Sequence, residues 1–273
     1  MFETEKRKNN FRSALGIAEL IYHSTARQVR SGSRNAILGL FTNVIQTLIL
    51  VGMFYIISSV FGLRSSAIRG DFILFLLSGV FLFMTHNRAL KSIIGAEGPT
   101  SAMMQHAPMN TAIAITSSAL SCLYLQFLSV LIVLFLVHVA WHPVEIYDPV
   151  GMFAMFVLSW ISGVAVGLVF LAIRPWFPAV TTLGSSIYTR ANMIASGKMF
   201  VVNTLPGSMR TLFDWNPLFH CIDQARGFTF INYNPHFTSI SYPVKITIVL
   251  FVIGLMAEFY TRKHASASWD AAR

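Results

Sequence analysis

The sequence predicts an all-α integral membrane protein. It has six transmembrane helices, an N-terminal amphipathic interface helix, and short re-entrant or interfacial helices between spans five and six. Three observations carry this. The 273 residues are 55% hydrophobic and only 11% charged, whereas a soluble domain carries about 25% charged residues. A single core of this length could not hide so much apolar surface. The apolar residues fall in uncharged runs of span length, and the cations cluster between alternate runs. The 23 Phe residues exclude a disordered chain, and two cysteines, Cys122 and Cys221, exclude a disulfide scaffold.

Residues 1–35 read as a cytoplasmic N-terminus. Within it, 11–30 has helical periodicity, with Phe11, Leu15, Ala18, Tyr22 and Val29 on one stripe and Arg12, His23, Arg27 and Arg30 mostly off it. That pattern fits a helix lying in the cytoplasmic interface. Its role is either anchoring to anionic lipid or docking a partner through Arg27, Arg30 and Arg34, spaced i, i+3, i+7 on one face. The next element follows from length. A span needs about 20 apolar residues, and 29 residues without a formal charge separate Arg34 from Arg64; the first span is 36–60. This run begins too far in, is too long for a signal h-region and has no small-residue cleavage pattern behind it, so the span is expected to stay in the mature protein.

The second span, 71–90, starts after Asp71 and ends with His86 and Arg88, where long cations can snorkel. The connection that follows, 91–110, is longer than a bare link needs. Glu97 with Gly98-Pro99-Thr100 can open a short helix that Pro108 stops. Met103, Met104 and His106 then face the cytoplasm or a partner, and exposed Met suits an adaptable surface; the alternative is a solvated loop. The third span is 111–140. The fourth, 150–173, lies between Pro149 and Arg174-Pro175. The fifth, 178–202, carries Arg190 and Lys198. The stretch 203–242 is aromatic and broken by Pro206, Pro217 and Pro235, with a short helix over 217–226; backbone that dips into the membrane there needs protein or water to satisfy it. The sixth span, 243–261, precedes a C-terminal tail, 262–273. Six spans put both termini on one side, and thirteen of the twenty Lys/Arg lie on that side against five on the other. The excess of cations makes it cytoplasmic.

The layout, together with Ser196-Gly197, Phe200, Leu205-Pro206, Arg210, Trp215-Asn216-Pro217-Leu218, His220 and Arg226, resembles the membrane subunit of an ABC-2 type transporter, in its capsular polysaccharide export branch. O-antigen and teichoic-acid permeases share much of the pattern. The resemblance implies the permease of an ATP-driven exporter that moves an acidic, lipid-linked capsular polysaccharide across the bacterial inner membrane. It implies a pore made with a second copy, two nucleotide-binding ATPase subunits docked beneath, and contact with membrane lipids and the polysaccharide. Periplasmic and outer-membrane export proteins can continue the path, and nucleic acid has no part. Glu97, Met103, Met104 and His106, flanked by Arg27 and Arg30, would couple to the ATPase. Trp215, Asn216, Pro217, His220 and Arg226 would form a structural motif at the outer mouth. ATP and Mg belong to the partner subunit. This chain's one Gly-Lys, Gly197-Lys198, is followed by Met199 and lacks the upstream Gly of a phosphate loop. The alternatives are an ABC-2 exporter of O-antigen, teichoic acid or a drug, or a membrane enzyme acting on lipid-linked sugars. The enzyme would need clustered carboxylates or a metal constellation, and a secondary transporter would need intramembrane acids and matched broken spans.

The substrate-pathway candidates are Arg190, Lys198, Arg210, Tyr188 and Trp215. A cation near mid-bilayer costs at least about 2.5–3.5 kcal/mol. Arg190 stands thirteen residues into the fifth span, among Thr181, Thr182, Ser185, Ser186, Thr189 and Asn192. Beyond Asp71 at the edge of the second, spans one to five contain no Asp or Glu, so an acidic ligand, water or backbone carbonyls must compensate it. On a continuous helix Lys198 would follow at about 12 Å of rise and roughly 80° of rotation, lining the same wall, or it would snorkel outward. Trp215 and other outer aromatics fit an interfacial belt or stack on sugar rings. His220 and Asp223, at i, i+3, are a weak metal or acid–base pair without a third ligand; structural hydrogen bonding is the other reading, and no metal site is expected.

Overall fold

The computed structural model describes residues 10–31, 36–60, 71–97, 110–141 and 143–264. They form nine α-helices and no strand among the described residues: α1 Asn10–Ser31, α2 Ala36–Val60, α3 Phe72–Ile94, α4 Thr111–Ala140, α5 Pro149–Ile173, α6 Pro178–Ala195, α7 Gly207–Phe213, α8 Pro217–Thr229 and α9 Ser241–His264. Five of them, α2, α3, α4, α5 and α9, are long and apolar enough to cross a membrane. Most starts are written locally. Asp71, Asn110 and Asp148 accept hydrogen bonds from the first free amides of α3, α4 and α5, and Pro149 and Pro217 stand in the first turns of α5 and α8, where a missing N–H costs nothing.

α3 is the centre. Its residues Leu74 through Phe83 are buried without interruption, followed by Thr85, His86, Asn87, Ala89, Leu90 and Ile93. Its most apolar stretch is 83% buried, against 22% for α2 and α9, whose outward faces are apolar. In water that arrangement would be unstable; in a bilayer it is the expected one. α5 lies against α3 because Gly163 and Gly167 leave it room. A Cβ at Gly163 would collide with the His86 carbonyl oxygen, and one at Gly167 would stand 2.8 Å from Ile93 Cβ. Gly254 does the same for α9 on α5, at 2.7 Å from Leu168 Cβ. Lipid gives helices no hydrophobic reason to pair, so close backbone approach and interhelical hydrogen bonds take over. Ser159 Oγ donates to the Leu82 carbonyl (2.8 Å), Trp160 Nε1 to Ala119 (3.0 Å), Ser92 Oγ to Ser118 (2.9 Å) and Thr261 Oγ1 to Ala172 (3.0 Å).

Three expectations change. The second span continues to Ile94. His86 and Arg88 therefore lie inside it, and His86 is fully buried rather than at a wet end. The fifth segment is helical only to Ala195, not 202. Its 18 residues measure about 27 Å, and it is not one of the five apolar helices. α1 is a helix, but the side it turns to the protein is polar: Ser24 Oγ donates to Ser117 Oγ (3.1 Å) and Gln28 Oε1 accepts from Ser121 Oγ (3.3 Å). Both pairs have the same sequence offset, so α1 and α4 run in the same direction where they touch. The apolar residues Leu15 and Tyr22 face outward. The short helix expected after Glu97, with Met103, Met104 and His106, lies outside the described residues, as does the C-terminal tail.

Glycine packing gives a direct test. Gly163→Ala forces α5 away from α3 and should destabilise the purified chain by about 1–3 kcal/mol, lowering its melting temperature and yield. A methyl group added at Gly52 on α2 would have nothing within 4 Å of it, so Gly52→Ala should be neutral, or stabilising by up to about 1 kcal/mol. Equal melting of the two variants would contradict the packing.

Candidate functional site

α6 ends because Gly197 takes φ +73°, a conformation that costs glycine little. A Cβ there would also meet Phe219 Cδ2 at 2.8 Å. The turn that follows leaves three carbonyls with no helical partner, and they lie inside the protein, where an unmet acceptor is costly. Arg226 on α8 satisfies all three. Nη1 donates to the carbonyls of Gly197 (2.9 Å) and Phe200 (2.7 Å), and Nη2 to that of Lys198 (2.7 Å). The guanidinium carbon lies 4.0 Å from the centroid of the Phe75 ring. Gly79 on α3 gives the turn its place, since a Cβ there would be 2.9 Å from both Lys198 Cα and Arg226 Nη2. Burial pulls the Arg226 side chain down to about 10, and the charge of Asp223 opposes that pull; it stays charged at neutral pH.

The rest of the outer connection is tied to this clamp. Asn216 Oδ1 accepts from Leu218 N (3.0 Å) and so caps α8, while Nδ2 donates to Asn192 Oδ1 (2.7 Å) and to the Ala195 carbonyl (3.1 Å). One side chain thus starts α8 and fastens the end of α6. Asp223, one turn before Arg226, accepts from Tyr233 Oη and from Thr238 Oγ1 (2.7 Å). Burial pushes the Asp223 carboxyl up, and those hydrogen bonds oppose the push. Ser239 N donates to His220 Nδ1 (3.2 Å), which leaves the proton on Nε2 to donate to the Asp214 carbonyl (2.8 Å). His220 and Asp223 therefore serve different partners and do not converge on one point. Among the described residues no three metal-ligating side chains come together. Trp215 keeps its ring exposed; its Nε1 donates to Leu212 O and its carbonyl accepts from Tyr242 Oη.

The pathway candidates separate. Arg190 is exposed, on a face of α6 with Ala179, Thr182, Leu183, Ser186 and Ile187 that forms an open groove of about 510 Å³. Tyr188, two residues and about 200° away, turns the other way and bonds to His86. Lys198 is completely buried: Nζ donates to the Met193 carbonyl and lies 3.7 Å from the Phe83 ring centroid and 5.3 Å from that of Phe54. It neither snorkels nor lines a wall with Arg190, because the helix that would have carried both ends at Ala195. Arg210 is half-buried in the outer connection, stacked 3.5 Å from the Phe237 ring centroid. Sequence reasoning missed a buried polar chain that holds α6 to the bundle. Ser162 Oγ donates to Ser159 O (2.8 Å), so His86 Nδ1 donates to Ser162 Oγ (2.8 Å) and Nε2 accepts from Tyr188 Oη (2.9 Å). The signal was a histidine inside an apolar run, which the early end drawn for span two concealed.

At the inner end, Arg27 and Glu97 line one cavity of about 670 Å³. Arg30 lines a different, mostly apolar groove of about 640 Å³ with Tyr22, Val29, Tyr124, Phe127 and Phe153. The two arginines therefore line separate spaces.

Residues 19–230 match the ABC-2 type transporter family. The chain is also similar to the polysialic acid transport protein KpsM of Escherichia coli, with 28% identity over 199 residues, 71% of this chain and 75% of that protein. The family match, residues 19–230, takes in the Arg226 clamp.

The clamp can be broken. Arg226→Lys keeps the charge but loses the fork that reaches three carbonyls, and Arg226→Gln loses the charge too. Leaving buried groups unpaired this way costs about 3–5 kcal/mol. With Cys122 and Cys221 replaced by Ala, a cysteine placed at the fully buried Val202 should react with a maleimide at least about tenfold faster in either variant. Unchanged protection would mean the turn holds without Arg226.

Proposed function

The chain belongs to the ABC-2 type transporter family, and from that premise we propose that it exports an acidic, lipid-linked capsular polysaccharide across the bacterial inner membrane. It is a multi-pass membrane transporter subunit that works with an ATPase, not an enzyme. In this reading two copies of the chain form the path, and two ATPase subunits bind ATP and Mg beneath it. They dock near Glu97 and the segment that follows, and periplasmic and outer-membrane proteins carry the polymer onward. The relative named for polysialic acid transport supports a polymeric, acidic cargo.

The observation that carries the reading is the exposed Arg190 face of α6. This helix is too polar to be counted with the five apolar ones, yet it is flanked by them in sequence, and its arginine faces outward with Thr182 and Ser186. A cation held at membrane depth needs a wet or anionic neighbour. A path between two copies supplies one, and positive charge along it favours an anionic cargo. Counting α6 as the fifth of six crossings also returns both termini to the cation-rich side.

Surface-polymer quantification at matched expression tests the cargo. Arg190→Glu should abolish export, and Arg190→Lys should retain part of it, with membrane insertion and ATPase binding unchanged in both. Full export by Arg190→Glu would refute an anionic path at this helix. Topology is tested separately: introduced cysteines near residue 10 and at residue 234 should label from opposite sides of the membrane, and labelling from one side would refute six crossings.

A further inference from the structure

The inner cavity between α1, α2, α3 and α4 collects cations that the export path does not use. Its walls include Arg27, Arg88, Lys91 and one carboxylate, Glu97, along with neutral hydrogen-bonding groups such as Ser121 and Gln126. Among the described residues the lining carries three cations against one anion. Arg88 Nη2 donates to Gln46 Oε1 (2.7 Å), a neutral acceptor that orients the guanidinium without cancelling its charge. Lys91 is exposed.

Depth narrows what the cavity could hold. Arg88 lies six residues, about 9 Å, before the inner end of α3 at Ile94. Along α4 the lining runs from Ser118 to Gln126, about 10–22 Å from the helix start at Thr111. α4 has 30 residues, so it measures about 45 Å and overhangs a hydrocarbon core of about 30 Å. The cavity therefore spans the headgroup level and the first part of the acyl region on the cation-rich side. A soluble anion or a side chain of a docked subunit could reach its mouth; a lipid reaches its full depth. Basic pockets between helices on the cytoplasmic side suit anionic headgroups, and a guanidinium fork matches phosphate oxygens. We propose that this cavity binds the phosphate of an anionic membrane lipid, with Arg88 and Lys91 as the ligating cations and Arg27 as the contribution of α1. The bound lipid ties α1 to the bundle in a way the Ser24–Ser117 and Gln28–Ser121 hydrogen bonds alone do not. The site is independent of the exported cargo.

The test uses the purified full chain. Native mass spectrometry and thermal melting are compared with phosphatidylglycerol, phosphatidylcholine and inorganic phosphate. Phosphatidylglycerol should be retained and should stabilise at roughly tenfold lower concentration than phosphatidylcholine. Lys91→Gln and Arg88→Gln should each remove about that preference, while Lys263→Gln, at the end of α9 and outside the cavity, should leave it intact. If Arg88→Gln does not fold, the exposed Lys91 decides alone. Three results would overturn the proposal: equal retention of the two lipids, an unchanged preference in Lys91→Gln, or the same stabilisation by inorganic phosphate, which would assign the site to a soluble anion. Displacement of phosphatidylglycerol when the ATPase subunit is added would give the cavity to an acidic side chain of that partner and would equally overturn it.

Discussion

Three backbone carbonyls held by one guanidinium decide the shape of the outer half of this protein. A chain in or near lipid cannot leave peptide groups unsatisfied, so a turn that follows a helix ending inside the protein must have its loose carbonyls met by something else. Arg226 meets those of Gly197, Lys198 and Phe200. With them met, α6 can end at Ala195 and the chain can turn back through α7 and α8 instead of running straight to the outer surface. Phe75 and Gly79 extend the constraint into α3: the aromatic face covers the cation, and the missing Cβ admits the turn. The central helix is thereby shaped around the clamp as much as around its apolar neighbours.

The inner bundle obeys the same rule by different means. α3 and α5 approach closely over Gly163 and Gly167, and hydroxyls of Ser159, Ser92 and Thr261 reach carbonyls of neighbouring helices. α6 has a looser glycine contact, Gly184, where a Cβ would stand 3.1 Å from Phe170 Cε1 of α5. It is held at mid-length by the Tyr188–His86–Ser162 chain and at its end by Asn192 and Asn216. Fastened at these polar points, the helix keeps its Arg190 face outward.

The cations divide by surroundings. Lys198 is enclosed by Phe83, Phe54 and the Met193 carbonyl, and Arg226 by carbonyls and Phe75. These two charges stabilise the fold and are not open to a ligand. Arg190, and the Arg88–Lys91 pair at the inner cavity, face space. That division supports an anionic cargo at one site and an anionic lipid at another, from one sequence whose excess charge is +9.

The sequence by itself determined the class, the long helices and most of their starts, because bilayer thickness and N-terminal caps act locally. Runs of uncharged apolar residues mark α2, α4 and α5, and Asp71 and Pro149 mark where helices begin. The family resemblance grouped Arg226 with the Trp215-Asn216-Pro217 stretch at the outer mouth. Only the tertiary structure decided what those residues hold. α6 is stopped by Gly197, a local signal that a span drawn to residue 202 passes over, but the turn beyond it is held by an arginine 29 residues after that glycine, which no local periodicity could reveal; the shared wall of Arg190 and Lys198 failed for these reasons. The true end of α3 was hidden because His86 and Arg88 look like interfacial residues until Ser162, Tyr188 and Gln46 come from other helices to satisfy them. Polar groups inside a membrane protein are explained by their partners, and the partners are distant in sequence.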